Sequence, residues 1–322
     1  MRGRHLAMLV AVSLGLGVIG ATASPPSGVS RTDHARATIS APVSASAAGE
    51  SEVAGQFVTV PPGGAIPWHS HPGQNFVAVT AGSLTVYVGG AEDCTTTGYA
   101  AAQGYLEHVG MVHSAKNDGT APVEAYVTQV GVPVGAELRK VEAKPAGASC
   151  PEAAGPAPVV TNLVRAKISA PFTVPETATS DVMMQTVVIE PGGTVGWHSH
   201  ATPTFVAVKS GAVTFFHATA AGCSSQSYAA GQGYVEPVGD AHMARNDSTT
   251  PAELYATYLA VPVGAPLRAE QDVPTGAGCP GATAPQATEQ LPRTGLPIGV
   301  LLTLAAGLTG AGTVARRMGR RR

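Results

Sequence analysis

The tetrapeptide Trp68-His69-Ser70-His71 occurs a second time as Trp197-His198-Ser199-His200, 129 residues further along the chain. The same spacing relates the residues on both sides of the tetrapeptide, and no insertion or deletion is needed. It pairs Arg36 with Arg165, Gly82 with Gly211, Cys94 with Cys223, His113 with His242 and Cys150 with Cys279. A repeat of this extent indicates a duplicated folding unit, so we expect two domains of the same fold.

The repeat places the two predicted domains at residues 24–152 and 164–281, joined by an Ala-Gly-Pro-rich linker at 153–163. Within each unit, runs of β-branched and aromatic residues alternate with Gly and Pro turns. Phe76–Val79 and Leu84–Val88, for example, are separated by a Gly-containing turn, as in a β-hairpin. This pattern predicts an all-β fold made of closed barrels or jelly rolls, which leave few exposed strand edges.

Six of the ten histidines repeat with the same spacing in both units. Each unit has a His-x-His pair, and a third histidine follows 42 residues after the pair. We name these sets the first triad, His69, His71 and His113, and the second triad, His198, His200 and His242. Residues two apart on a strand face the same side, so the pair and a histidine of a neighbouring strand can bind one ion. We expect one divalent transition metal per triad, and we expect His108 and His217, which are not repeated, at the surface.

The segments that contain the triads resemble the signature motifs of a known family. Pro62–Gly82 and Gly110–Asn117 are similar to the two motifs of the cupin superfamily, and the second unit matches at Gly231, Pro237 and Asn246. The resemblance covers nearly all of both units. It implies two tandem cupin barrels, each a double-stranded β-helix, or in short a bicupin.

One position departs from the family pattern. The family motif has a metal-binding Glu four residues after the second histidine, and this chain has Asn75 and Thr204 there as the candidate positions for a fourth ligand. Without that Glu we expect Fe, Zn, Cu or Ni rather than Mn, because Mn prefers oxygen anions. Glu107 and Glu236 repeat shortly before the third histidine, and we expect them to lie at the surface or to orient an imidazole, with a general base or a substitute metal ligand as the alternative.

Both ends of the chain have export and anchoring signals. Residues 1–23 combine a basic start, an apolar run and a small-residue cleavage site, as in a secretory signal peptide. Residues 291–322 resemble a sortase sorting signal of the LPXTG type, with an apolar span and a basic tail after a stalk at 282–290. The resemblance implies that sortase joins Thr294 to cell-wall peptidoglycan. We therefore expect an exported protein that is anchored to the bacterial cell wall, or held in the membrane by its C-terminal span.

The four cysteines form equivalent pairs in the two units, and an even number in an exported chain predicts disulfides. Three pairings are possible. Because each unit contains two cysteines, we expect bonds between Cys94 and Cys150 and between Cys223 and Cys279.

The charge of the chain argues against nucleic acid as a partner. Seven of the 19 basic residues lie before residue 24 or after residue 294, so the body of the chain is acidic and unsuited to phosphate backbones. Three functions remain open: a surface module that binds a metal, with or without a small-molecule ligand; a metal-dependent enzyme such as an Fe-type dioxygenase; and a structural or interaction role without metal. Oxalate decarboxylase-like activity is disfavoured because the Glu ligand is missing. No catalytic residue is identified.

Overall fold

The computed structural model describes residues 25–90, 93–220, 222–274 and 278–281. These residues form 22 strands and no helix, which confirms the all-β prediction. Among the described residues there is thus no helix that is long and apolar enough to cross a membrane. The predicted signal peptide at 1–23, the stalk at 282–290 and the sorting signal at 291–322, with Thr294, lie outside the described residues.

The strands form two sets that follow one another in the same order, and each strand of the second set matches one of the first through the 129-residue repeat. The first half contains β1 (Ser27–Ile39), β2 (Val43–Ala47), β3 (Ser51–Val60), β4 (Ala65–Ser70), β5 (Gln74–Ala81), β6 (Ser83–Gly89), β7 (Cys94–Ala100), β8 (Gln103–Glu107), β9 (His113–Lys116), β10 (Val123–Val132) and β11 (Lys140–Val141). The second half contains β12 (Val159–Ile168), β13 (Phe172–Thr177), β14 (Ser180–Thr194), β15 (His198–Ser199), β16 (Thr204–Ser210), β17 (Ala212–Thr219), β18 (Gly222–Ala229), β19 (Gln232–Glu236), β20 (His242–Arg245), β21 (Ala252–Val261) and β22 (Ala269–Glu270).

Each half folds into a jelly-roll barrel with two facing sheets. In the first half, one sheet has the order β11-β4-β9-β6-β7 and the other contains β8-β5-β10-β3, and the second half repeats this arrangement. Side chains alternate across the strands, as expected for sheets that are covered on both faces. Val77 and Val79 of β5 therefore pack inside the first barrel, while Phe76 and Ala78 face a core that residues of both halves share.

The first strand of each half completes the sheet of the other half. β1 pairs with β14 and β12 pairs with β3, both in antiparallel fashion. The end of each strand also pairs in parallel with its own half, β1 with β8 and β12 with β19. The resulting sheet closes on itself through strands of both halves. The predicted domains are thus parts of one compact body, and residues 159–163 of the predicted linker belong to β12 because Val159, Val160 and Thr161 pair with β3.

Equivalent ion pairs hold the two exchanged strands in place. The Arg36 Nε donates to Asp181 Oδ2 at 2.8 Å, and the Arg165 Nε donates to Glu52 Oε2 at 2.8 Å. Burial raises the pKa of Asp181, but the N–H of Gly264, a threonine hydroxyl and the Arg36 guanidinium together lower it below its usual value. Asp181 is therefore ionised at neutral pH and stabilises the contact between the halves.

The disulfides have the expected pairing, Cys94 with Cys150 and Cys223 with Cys279. Each bond ties the edge strand of a barrel, β7 or β18, to the segment that follows the last strand of the same half. Both edge strands pair with only one neighbour, so this covalent link supports the least supported part of each barrel.

Candidate metal centres

The structure brings the first triad together inside the first barrel. His69 on β4 lies directly opposite His113 on β9, and His71 follows at the end of β4. The three ring centroids are 4.1 to 5.3 Å apart, and all three side chains are buried.

The second triad has nearly the same geometry. His198 on β15 lies opposite His242 on β20, and His200 follows β15. The ring centroids are 4.4 to 5.2 Å apart, and the three side chains are again buried. The repeat in the sequence is therefore also a repeat of the site.

The backbone fixes the orientation of all six imidazoles. Each Nδ1 lies 2.7 to 3.0 Å from a backbone carbonyl oxygen. In the first triad the carbonyl belongs to Pro67 for His69, to Leu138 for His71 and to Met111 for His113. In the second triad it belongs to Gly196 for His198, to Leu267 for His200 and to Asp240 for His242. A carbonyl oxygen only accepts hydrogen bonds, so each Nδ1 carries a proton and donates it. In the neutral ring the Nε2 then has a free lone pair, which is the form of histidine that binds a metal.

Glu107 and Glu236 lie inside the barrels and reach two histidines each. The Glu107 oxygens are 3.0 Å from His113 Nε2 and 3.2 Å from His71 Nε2. The Glu236 oxygens are 2.9 Å and 3.2 Å from the Nε2 atoms of the corresponding pair in the second triad. We expected these glutamates to orient an imidazole. Instead, backbone carbonyls orient the rings, and the carboxylates face Nε2, the atom that is free to bind an ion.

The position of these carboxylates follows from the strand register. Glu107 on β8 is the direct cross-strand neighbour of Asn75 on β5, and Glu236 on β19 is the neighbour of Thr204 on β16. Opposite residues of an antiparallel pair have Cβ atoms about 5 Å apart, so a Glu at either place can reach the same point. The carboxylate that the family motif places on one strand comes here from the adjacent strand. The argument that ranked Mn below Fe, Zn, Cu and Ni therefore no longer holds.

The two candidate positions for a fourth ligand differ in their contacts. The Asn75 Nδ2 donates to Glu107 Oε2 at 2.8 Å and so orients that carboxylate. The Thr204 hydroxyl makes only a long contact of 3.5 Å with the carbonyl oxygen of Thr202. Both side chains are fully buried. In each barrel, Glu107 or Glu236 is thus the better placed oxygen ligand.

Burial and neighbouring charges give the residues of each site different pKa values. Burial, reinforced by the neighbouring third histidine, lowers the pKa of His69 and of His198 to about 3. Burial alone would also lower the pKa of His113 and His242, but the adjacent carboxylate raises both above the usual value. Burial would raise the pKa of Glu107, and the histidines beside it hold it well below its usual range. The carboxylates are ionised at neutral pH.

The contacts around the free Nε2 atoms fit a bound cation. Within the described part of the chain, the buried Nε2 atoms of His113, His200 and His242 have no hydrogen-bond partner of good geometry, although carboxylate oxygens lie near them. In the second barrel, one atom from each histidine and from Glu236 lies within 4.8 Å of all the others, and in the first barrel the three histidines form such a group without Glu107. Three imidazole nitrogens and a carboxylate oxygen suit a divalent transition ion. The residues of both barrels therefore fit such an ion.

The space beside the two triads differs greatly. A cavity of about 410 Å³ adjoins the first triad, and only about 30 Å³ adjoins the second. At three equivalent positions the second barrel has the larger side chain: Val86, Ala125 and Gln129 in the first barrel correspond to Phe215, Leu254 and Tyr258 in the second. Phe215, Leu254 and Tyr258 are buried beside the second triad and fill its barrel.

The second barrel also contains a histidine that the sequence did not assign to the site. His217 is mostly buried rather than at the surface, and its ring lies 5.9 Å from that of His242. Its Nδ1 is 2.8 Å from Asp240 Oδ2, and its Nε2 is 3.2 Å from the hydroxyl of Tyr234. His217 is the cross-strand neighbour of His242, a relation that depends on strand register and that the repeat does not reveal.

This geometry agrees with a match to a known protein family. Both halves match the family model described as Cupin domain, over residues 56–129 and 185–258. The chain thus contains two cupin domains in tandem and has a bicupin fold.

Solved structures with some similarity include an oxalate decarboxylase of Bacillus subtilis with Mn(II) centres, at 13% identity, covering 74% of this chain and 80% of that one with a TM-score of 0.34. AerE from Microcystis aeruginosa is similar at 14% identity, over 64% of this chain and 87% of that one, with a TM-score of 0.29. No curated protein matches the sequence. These similarities are too distant to indicate an activity or a metal.

Proposed function

We propose that the protein is a metal-binding bicupin of the bacterial cell surface, with one divalent transition ion in each barrel. The observation that carries the proposal is the orientation of six buried imidazoles. Every Nδ1 is held by a backbone carbonyl, and the Nε2 atoms of each triad converge beside a buried carboxylate. This arrangement is repeated in full in both halves.

The energetics of burial support an ion rather than a purely structural role. Three imidazoles and one ionised carboxylate are removed from water in each barrel, and burying such groups without full pairing is costly. An ion between the Nε2 atoms and the carboxylate would satisfy all of them at once. Its binding would then contribute to the stability of the folded chain.

The proposed location at the cell surface rests on the termini and on the disulfides. Residues 1–23 and 291–322 have the layout of export and sorting signals, and Thr294 is the expected point of attachment to peptidoglycan by sortase. The two disulfides agree with this location, because such bonds form and persist in oxidising compartments.

Metal analysis of residues 24–294, purified without a histidine tag, tests the proposal. We expect two ions per chain by mass spectrometry, one after His69→Ala or His198→Ala, and none after both. His108→Ala is the matched control, because His108 is an exposed histidine outside both triads and its loss should leave two ions bound. A parent chain that stays empty after incubation with Mn, Fe, Zn, Cu and Ni would contradict the proposal.

A second candidate is a metal-dependent enzyme that acts on a small molecule, and the cavity of about 410 Å³ beside the first triad favours it. A bound ion would supply Lewis-acid or redox chemistry at this place. The residues of the chain would hold and orient the molecule: Asn75 fixes the Glu107 carboxylate, and the apolar walls exclude water. Oxygen uptake or product formation over a substrate panel distinguishes the two functions, since a binding module turns over none of the compounds.

A further inference from the structure

The cavity beside the first triad has features that the second barrel lacks, and they indicate what it binds. We infer that the first barrel binds a mostly apolar small molecule whose metal-binding head includes a hydroxyl group, and that the second barrel binds no such molecule. The inference rests on the proposed metal site, because the ion would hold one end of the molecule.

Eleven of the 21 residues that line the first cavity have apolar side chains. They include Val58, Val77, Val123, Ala125 and Val127, all from strands of the first barrel. A volume of about 410 Å³ lies within the range of cavities that enclose small organic ligands. Such walls favour an apolar body over a small polar acid, which would lose its hydration without new hydrogen bonds.

Charged groups occur at the outer end of this cavity. Glu137, Arg139 and Arg165 line it and are exposed to solvent. Arg165 is also bound to Glu52 and to the carbonyl oxygen of Ala136, so its guanidinium is largely occupied. The cavity thus has a polar rim, apolar walls and the metal ligands at its inner end. A ligand of matching polarity has its chelating head at the triad and its apolar body along the walls.

The hydroxyl group is inferred from Asn75. The Asn75 Nδ2 donates to Glu107 Oε2 at 2.8 Å, so the amide oxygen of Asn75 faces away from that carboxylate. That oxygen is fully buried, belongs to a residue that lines the cavity and has no hydrogen-bond partner among the residues described. Buried acceptors in proteins nearly always have a donor. A hydroxyl beside the metal-binding atom of the ligand would supply it.

The second barrel shows that the metal site is complete without this amide. Thr204 occupies the equivalent position there, and the second triad and Glu236 still form a compact cluster of four possible ligands. The Asn75 oxygen is therefore available to a bound molecule. The wall position of Ala125 is occupied in the second barrel by Leu254, which helps to close that cavity.

Three related compounds test the inference on zinc-loaded chain 24–294 by titration calorimetry. 2-Hydroxyoctanoate has the hydroxyl and the apolar body, octanoate lacks only the hydroxyl, and glycolate lacks only the apolar body. We expect one 2-hydroxyoctanoate to bind per chain. Octanoate should bind more weakly by roughly tenfold or more, because one buried acceptor stays unpaired. Glycolate should also bind more weakly by roughly tenfold or more, because it has no methylenes to bury against the apolar walls.

Variants that install residues of the second barrel provide the matched controls. Ala125→Leu should abolish 2-hydroxyoctanoate binding, and Val86→Phe serves as a second variant, because Val86 packs in the same interior cluster as Ala125. Asn75→Thr should reduce the preference for 2-hydroxyoctanoate over octanoate to less than about threefold, because the buried amide oxygen that lacks a hydrogen-bond donor is gone. Ala125→Leu and Val86→Phe, which change no residue of the metal site, should keep two zinc ions per chain.

The outcomes separate the inference from the proposed function. A chain that binds no zinc overturns both. Two zinc ions with no 2-hydroxyoctanoate bound, or with two molecules bound per chain, overturn the inference alone. Equal affinity for octanoate and 2-hydroxyoctanoate, tighter binding of glycolate, or unchanged binding by Ala125→Leu and Val86→Phe would also overturn it.

Discussion

Replacing Glu107 with Gln should weaken metal binding in the first barrel and leave the second barrel unchanged. The substitution keeps the shape of the side chain and removes its negative charge. The Glu107 oxygens lie 3.0 and 3.2 Å from two Nε2 atoms, so an ion held by those atoms would lie against the carboxylate. Loss of a group that only supports a ligand costs up to about 100-fold in affinity, so loss of the carboxylate should cost at least that, or about 2.8 kcal/mol.

The strand register provides a rescue for the same experiment. Asn75 lies directly opposite Glu107, so the double variant Asn75→Glu/Glu107→Asn moves the carboxylate to the adjacent strand without removing it. We expect this double variant to recover most of the lost affinity. The assay is competition for Zn²⁺ with a chromophoric chelator, and the second barrel of each variant serves as the internal standard.

The reasoning would be refuted by a Glu107→Gln chain that binds both ions with the affinity of the parent. It would also be refuted by a double variant as weak as the single one, since the carboxylate would then be required at position 107 for another reason. Circular dichroism and thermal melting of each variant show whether the fold is intact.

Three further predictions concern pH and stability. Dialysis at decreasing pH should release the ions once protons outcompete the metal for the Nε2 atoms of His113 and His242, whose pKa values in the metal-free site are raised by the adjacent carboxylates, and metal analysis checks this. Asp181→Asn should cost about 2 kcal/mol at pH 7 by removing half of a largely buried ion pair. Because the folded pKa of Asp181 is lowered, its contribution is present at neutral pH and is lost as the pH falls through that folded value, so the difference between variant and parent in urea unfolding should shrink at a pH below the usual pKa of an aspartate. Replacing both Cys223 and Cys279 with Ser should lower stability by about 4 kcal/mol, since the bond closes a loop with a sequence separation of 56, and a lower melting temperature would show it.

The sequence predicts the repeated parts of this molecule well. The 129-residue spacing identifies two equivalent units, and histidines two residues apart on a strand must share a face. The residues of both triads can therefore be assigned from the sequence alone. The disulfide pairing also follows from the repeat, because each unit contains only two cysteines.

Features that depend on strand register are harder to predict from the sequence. Glu107 is far from His71 in sequence, and its role depends on β8 pairing with β5 so that it faces the interior beside Asn75. A Glu repeated at 107 and 236 is visible in the sequence, but the direction of its side chain is not. The family motif drew attention to the missing Glu, while the carboxylate itself had moved to the adjacent strand.

The exchange of β1 and β12 was also not predicted, because a duplicated unit has the same sequence pattern whether its first strand pairs within its own half or with the other one. The unequal cavities follow from side-chain volumes at a few repeat positions, such as Ala125 and Leu254. Their effect becomes clear only when the strands are known to place both residues inside the barrels.

An anomalous-difference map from a crystal of the metal-loaded chain tests the central claim most directly. We predict two strong peaks, one per barrel, each within bonding distance of three Nε2 atoms and of one oxygen of Glu107 or Glu236. Peaks bound by the histidines with both glutamates turned away would contradict the assignment of the carboxylates. A map with no peak at either triad would contradict the metal site itself.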